Sequence, residues 1–203
     1  MTTYTFPSLV PSGSKIQLLS NTDRFISPIS GAIQTLDSGG ERWLIDLVFR
    51  NMSDANLAVM SAFLTKLNGQ QHRFKLYNHA ENQRGAFGGT PLVAGASQTG
   101  LSLNIDGCSD GITNWIREGD WFSVNDELKM ATADANSSSA SPGGGTITVA
   151  FAPRLRTAPA DNAAITTSSA TGVFMLADNG VSWSNRLGGF HDLTIQAVED
   201  IAA

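Results

Sequence analysis

Apolar and polar residues alternate with a period of two along most of the chain, in short runs bounded by Gly, Asn, Asp and Ser, a pattern that predicts β-strands. Residues 42–50 are the clearest case. Trp43, Ile45, Leu47 and Phe49 would share one face, with Arg42, Asp46 and Arg50 on the other and Leu44 and Val48 between them. One face is therefore core and the second partly covered. A second run, 71–77, sets His72, Phe74 and Leu76 opposite Arg73, Lys75 and Tyr77.

Between these runs the period changes. Leu57, Met60, Phe63, Leu64 and Leu67 recur every three to four residues, which predicts a helix over 54–67 that lays one face on the sheet and leaves Ser61, Thr65 and Lys66 in solvent. Ser53 stands at the N-cap, Asp54 at the positive helix end, and Gly69 just past the stop.

From about residue 84 the texture shifts. The glycine-rich crossing 84–91 leads into short strand-like pieces at 101–105, 121–124, 127–131 and 146–152, which suggest a small antiparallel barrel or sandwich. The stretch 134–145 holds nothing to bury and is expected to be a flexible hairpin tip whose ends pair. After Pro153 and Pro159 the alternation resumes at 172–177 and 190–198, as partners for the first strands. The predicted fold is mainly β: a β-sandwich or sheet module, residues 1–85 plus 161–203 with helix 54–67, and a small β-barrel of OB-like or galectin-like kind inserted at 86–160.

Composition narrows the function classes. Of 203 residues only 15% are charged and 41% are hydrophobic, so the chain is not of the disordered type. Thirteen basic against eighteen acidic residues leave a net charge of −5, which argues against dedicated nucleic-acid binding. One cysteine, Cys108, excludes an intrachain disulfide, and no Cys-x-x-Cys pair points to zinc. No apolar run approaches the ~20 residues of a membrane helix, and residues 1–10 lack the features of a secretory signal, so cytosolic synthesis without membrane insertion is expected.

Candidate chemistry is sparse. His72, His79 and His191 form no ligand-spaced pair, and neither His191-Asp192 nor His79-Ala-Glu81 has a nucleophile motif beside it. Elbow, phosphate-loop and dinucleotide motifs are absent, and the glycines at 143–145 have no Lys or helix start behind them. Asp106, Asp110, Glu118, Asp120, Asp126 and Glu127 read as a solvated acidic rim. Trp115 and Trp121 are the candidates for stacking on a sugar ring, against a plainer use as plugs in the barrel, whereas Trp43 reads as core. No catalytic, metal-ligating or cofactor-binding residue is assigned.

The order of short blocks carries more information than any single residue. Trp43-Leu-Ile-Asp-Leu is followed by Ala62-Phe-Leu-Thr-Lys-Leu-Asn-Gly69, Phe74-Lys-Leu-Tyr-Asn78, Gly119-Asp-Trp-Phe, Pro153-Arg-Leu-Arg156, Val173-Phe-Met-Leu, Val181-Ser-Trp-Ser and Val198-Glu-Asp-Ile201. Over nearly its whole length the chain thereby resembles the distal tail protein family of long-tailed bacteriophages. The resemblance implies a structural virion protein, usually a hexameric ring at the tail tip, made in the host cytoplasm. It would join the tail tube protein to the tail-tip hub and leave a channel through which DNA passes without specific binding. Many members carry the extra module after the ring domain, so an insertion is a departure. The N-terminal segment, with Tyr4, Phe6 and Leu9, is the expected ring interface. The alternatives are a tail-tube or tube-capping subunit, and a carbohydrate-binding barrel for host-glycan attachment through Trp115 and Trp121.

Overall fold

A computed structural model describes residues 1–138, 144–186 and 188–201. Among the described residues the chain is mainly β with one helix. Its strands are β1 (Thr3–Thr5), β2 (Gly13–Leu19), β3 (Thr22–Ile26), β4 (Ile33–Asp37), β5 (Arg42–Met52), β6 (Arg73–Tyr77), β7 (Gly89–Val93), β8 (Gly100–Cys108), β9 (Trp121–Val124), β10 (Glu127–Ala131), β11 (Gly145–Leu155), β12 (Ile165–Thr166), β13 (Thr171–Leu176), β14 (Trp183–Arg186) and β15 (Phe190–Glu199). The helix α1 spans Asp54–Leu67.

Strands β1, β6, β13, β15, β5 and β2 form one sheet in that order, with β14 added beside β15. β1 runs parallel to β6, and the other pairings in this sheet are antiparallel. The alternation of β5 is realised: Trp43, Ile45, Leu47 and Phe49 are buried beneath α1, while Leu44, Asp46 and Val48 are only partly covered on the other face. Helix α1 contributes Met60, Phe63, Leu64 and Leu67 to the same core. The Ser53 hydroxyl accepts from the Asn56 N–H at its start, and Asn68 in the left-handed region ends it. Leu57 is only half-buried, because it lies in the first turn at the rim of the contact.

Strands β12, β9, β10, β11, β8 and β7 form a second, barrel-like sheet that is nearly closed. Leu92 bridges to Ala164, and the Val93 N–H donates to the Ala163 carbonyl across the seam at 3.0 Å. This sheet reaches Thr166, past the boundary at 160 suggested by the turn residues, because the barrel needs β12 beside β9 to approach closure. Its interior holds Val93, Leu103, Ile105, Phe122, Val124, Val149 and Phe151.

The barrel abuts one end of the first sheet, and the two cores meet there. Trp121 and Leu128 from β9 and β10 turn away from the barrel interior and enter the core of the first sheet beside Trp43 and Phe174. The Trp43 indole N–H donates to the Leu128 carbonyl at 3.0 Å. Gly172 permits this approach, since a Cβ there would lie 3.0 Å from the Leu128 Cβ.

The stretch 134–145 differs from its expectation at its beginning. Ser137 is buried, its hydroxyl accepting from the Ile112 N–H and donating to the Ser109 carbonyl, while Asp134 and Asn136 accept from the N–H groups of Glu118 and Asn114. Short polar side chains here satisfy loop 109–118 instead of facing water. The ends do pair, through the Ser138 N–H and the Thr146 carbonyl at 2.8 Å. Residues 139–143 of that expectation lie outside the described residues.

Candidate functional site

The chemical candidates separate in space. His72 accepts from the Thr2 N–H, His79 packs against the Tyr77 and Phe6 rings, and His191 contacts Asp54 at 2.7 Å. Burial lowers the His79 pKa. Among the described residues no three His, Cys, Asp or Glu side chains gather where they could hold a metal ion, and no helix is long and apolar enough to cross a membrane. Burial, helped by the nearby Asp106 charge, pushes the Cys108 thiol up to about 12, so it is not an activated nucleophile.

Three of the six acids read as a rim take different roles. Asp120 is buried and accepts from the N–H groups of Arg84, Gly85 and Arg117, holding the crossing chain against the barrel mouth. Asp126 is half-exposed and pairs with Lys75 at 2.7 Å. Glu127 is buried in an ionic network with Lys129, Arg156 and Glu199. These acids therefore do not form one solvated surface, because barrel closure turns β10 inward and brings the end of β15 over it.

In that network the Lys129 ammonium donates to Glu127 and, at 2.8 Å, to the Arg154 carbonyl. Arg156 bridges Glu127 to Glu199, whose carboxylate also accepts from the N–H groups of Trp43 and Leu128. Burial pulls the Lys129 pKa down against the Glu127 charge, and burial pushes that of Glu199 up against Arg156. Burial acts on Glu127 in the raising direction, but Lys129 and the N–H groups of Arg156 and Thr157 outweigh it and hold the carboxyl below its usual range. With Glu199 from the first sheet and the rest from the barrel, the network fixes how the two meet.

Of the residues expected at a ring interface, Phe6 is buried within the subunit and Tyr4 and Leu9 are half-buried. Phe6 is 9% exposed and packs against the rings of Phe49, Phe63 and Phe74. Tyr4 and Leu9 are half-buried against the same core. The segment folds back because β1 pairs with β6, which delivers Phe6 over the helix face. Trp115 is 1% exposed, with its indole N–H donating to the Gly88 carbonyl and Phe87 against its ring. Trp121 packs against Trp43, with ring centroids 4.7 Å apart and planes tilted by 59°. Neither indole presents a face to solvent, so the sugar-stacking expectation is corrected: Trp115 plugs the barrel, whereas Trp121 serves the core of the first sheet.

Two strand elements stand apart, and sequence reasoning missed both. The β3–β4 hairpin is exposed at every strand position. It carries Phe25, 62% exposed, Ile26, Ile33 and Leu36, with Ile29 at its tip 97% exposed. From the register, Ile26 and Ile33 sit opposite each other on one face, while Phe25 and Leu36 lie diagonally on the other. Strand β14 is also exposed throughout. Val181 and Trp183 near β14 and Phe190 at the start of β15 are exposed apolar residues, but Trp183 lies opposite Leu193 and Phe190 opposite Arg186, so the two rings point to opposite faces of the pair. The turn Ser27-Pro-Ile-Ser-Gly31 was the one hairpin signal, since neither 22–26 nor 33–37 alternates; β14 carried none, as Trp183-Ser-Asn-Arg186 has one apolar residue.

The hairpin and Phe190 lie at opposite ends of the first sheet. The hairpin leaves from the end where Leu19 pairs with Arg42, beside the barrel, and Arg154 reaches Asp37 at its base. Phe190 adjoins the pairing of His191 with Met52 at the far end of β5, about 34 Å away along an eleven-residue strand. An exposed apolar strand with an open edge is a template on which another chain can pair. No protein-family model and no curated protein matches the chain.

Proposed function

We propose that the protein is a structural, self-assembling component of a bacteriophage tail. Copies form a closed ring at the distal end of the tail, join the tail tube to the tail-tip hub, and leave a channel for DNA. The observation that carries the reading is the β3–β4 hairpin. An isolated two-stranded hairpin is marginal in water at best, and this one has large apolar residues on both faces and at its tip, so its sequence makes sense when neighbouring molecules cover it. The net charge of −5 suits a channel that must not retain DNA. The block order described above supplies the phage context.

The burial of Trp115 and Trp121 removes the aromatic platform on which the glycan-binding alternative rested. A tail-tube subunit differs from a distal ring in polymer length alone. Light scattering on the purified protein, paired with negative-stain images of the same peak, tests the proposal. Closed rings of about six subunits with an open centre are expected. Indefinitely stacked tubes would transfer the assignment to a tube subunit, and a strict monomer of 21.5 kDa at high concentration would contradict self-assembly.

A further inference from the structure

We propose that Asn179 is a site of self-modification, at which the Gly180 backbone nitrogen displaces the Asn179 side-chain amide, and that the fold spares Asn68. The chain has two Asn-Gly pairs, Asn68-Gly69 and Asn179-Gly180, and both asparagines are exposed. Glycine has no Cβ to shield its nitrogen, so the two pairs share the same intrinsic reactivity. What separates them is backbone geometry. In the reaction the nitrogen of the following residue attacks Cγ and gives its proton to water, and the Cγ–Nδ2 bond breaks as Nδ2 takes up a proton and leaves as ammonia. Water then opens the five-membered succinimide to aspartate or isoaspartate. No electrons change hands, and water is the one co-reactant.

Ring closure needs the attacking nitrogen and the asparagine Cβ on the same side of the Cα–C bond. Asn68 ends α1 in the left-handed region, with φ 48° and ψ 58°, and its N–H donates to the Thr65 carbonyl. That conformation brings Cβ against the residue's own carbonyl oxygen. A planar peptide sets its nitrogen opposite that oxygen, so the Gly69 nitrogen faces away from the Asn68 side chain, and the ring cannot close unless the helix end unwinds. Asn179 lies in the bend between β13 and β14, and nothing stands within 4 Å of where a Gly180 Cβ would be. The Gln70 N–H donates to Asn179 Oδ1 at 3.2 Å. This oxygen gains negative charge when Cγ is attacked, so a backbone donor already in place favours the attack. The product disturbs the fold locally. A Cβ on Gly69 would lie 2.8 Å from Asn179 Oδ1, and isoaspartate lengthens the backbone at this contact. Either product adds a carboxylate beside Asp178, near the negative end of the α1 dipole.

Incubating native and urea-unfolded protein at mildly alkaline pH, with peptide mass spectrometry over time, tests the site. In the native protein residue 179 should convert about tenfold faster than residue 68, or more. In urea the two rates should come together, because Asn68 then leaves the left-handed region. Gly180→Ala should slow conversion at 179 about tenfold. Its added Cβ meets nothing within 4 Å, and circular dichroism establishes that the variant stays folded. Equal rates at 68 and 179 in the native protein would overturn the proposal, as would a native Asn179 that stays intact while the unfolded one reacts. Rates that remain apart in urea would show that the fold is not what separates the two pairs. A Gly180→Ala rate equal to that of wild type would show that the Gly180 nitrogen is not the nucleophile, and either result overturns the proposal as well.

Discussion

Two hairpins of nearly equal size meet opposite fates in this molecule. β9 and β10 are joined by Asn125 and Asp126, both in the left-handed region that a two-residue hairpin turn requires, and bury all but one of their strand positions. β3 and β4 bury none. Both are apolar on two faces. Trp121 and Leu128 on one side of the buried hairpin enter the first core, and Phe122 and Val124 on the other enter the barrel. Two-sided apolar character is what a strand pair needs when it lies between two bodies. The exposed hairpin has the same character with one body missing on each side, and the missing bodies are best supplied by other copies.

The comparison can be strained from either end. The largest effects belong to the buried hairpin. Glu199→Ala leaves Arg156 and the N–H groups of Trp43 and Leu128 without their carboxylate, and should cost about 3–5 kcal/mol in chemical denaturation. Trp121→Ala removes a ring shared by both regions and should cost about 3–5 kcal/mol, with the whole molecule losing stability and not the barrel alone. A second, barrel-only transition after Trp121→Ala would show that the cores are less joined than their contacts indicate.

A smaller effect lies at the crossing between the two regions. Burial, with one carboxylate oxygen left without a hydrogen-bond partner, raises the Glu81 pKa to about 6, against the Gln83 hydrogen bond and with help from Asp120. The folded protein then holds this proton more tightly than the unfolded chain does, so stability should fall as pH rises from about 4.5 to about 6 and level off above. Glu81 is partly solvated, which keeps the effect below about 1 kcal/mol. Glu81→Gln should flatten that slope in denaturation curves collected between pH 4.5 and 7. The smallest change is expected at the exposed hairpin. Ile29→Lys should shift the stability of the isolated subunit by no more than about 0.5 kcal/mol while weakening self-association tenfold or more.

What could be read from the sequence follows from how local each cause is. β5, β9, β10 and α1 were legible because their periodicity and caps lie within a dozen residues, as with Ser53 and the stripe from Met60 to Leu67. The ionic network was not. Glu127 and Lys129 share a strand face that composition alone assigns to solvent, and it is turned inward by barrel closure and by Arg156 and Glu199 arriving from distant segments. The burial of Phe6 was hidden for the same reason, since the strand that carries it into the core is held by pairing across seventy residues. The tryptophans were surface candidates only because an aromatic face can stack on a sugar ring, and composition does not say which way a ring points. In the fold Asp120 binds backbone N–H groups beside them.

Hydrogen exchange measured on the two hairpins as a function of protein concentration tests the central claim most directly. The account predicts that β3–β4 amides exchange freely in the dilute monomer and in the Ile29→Lys, Ile33→Lys variant, and become protected when wild type assembles, while β9–β10 amides stay protected throughout. Rates for the exposed hairpin that are the same in dilute and assembled wild type would contradict it, because the hairpin would then remain uncovered in the state that is supposed to cover it.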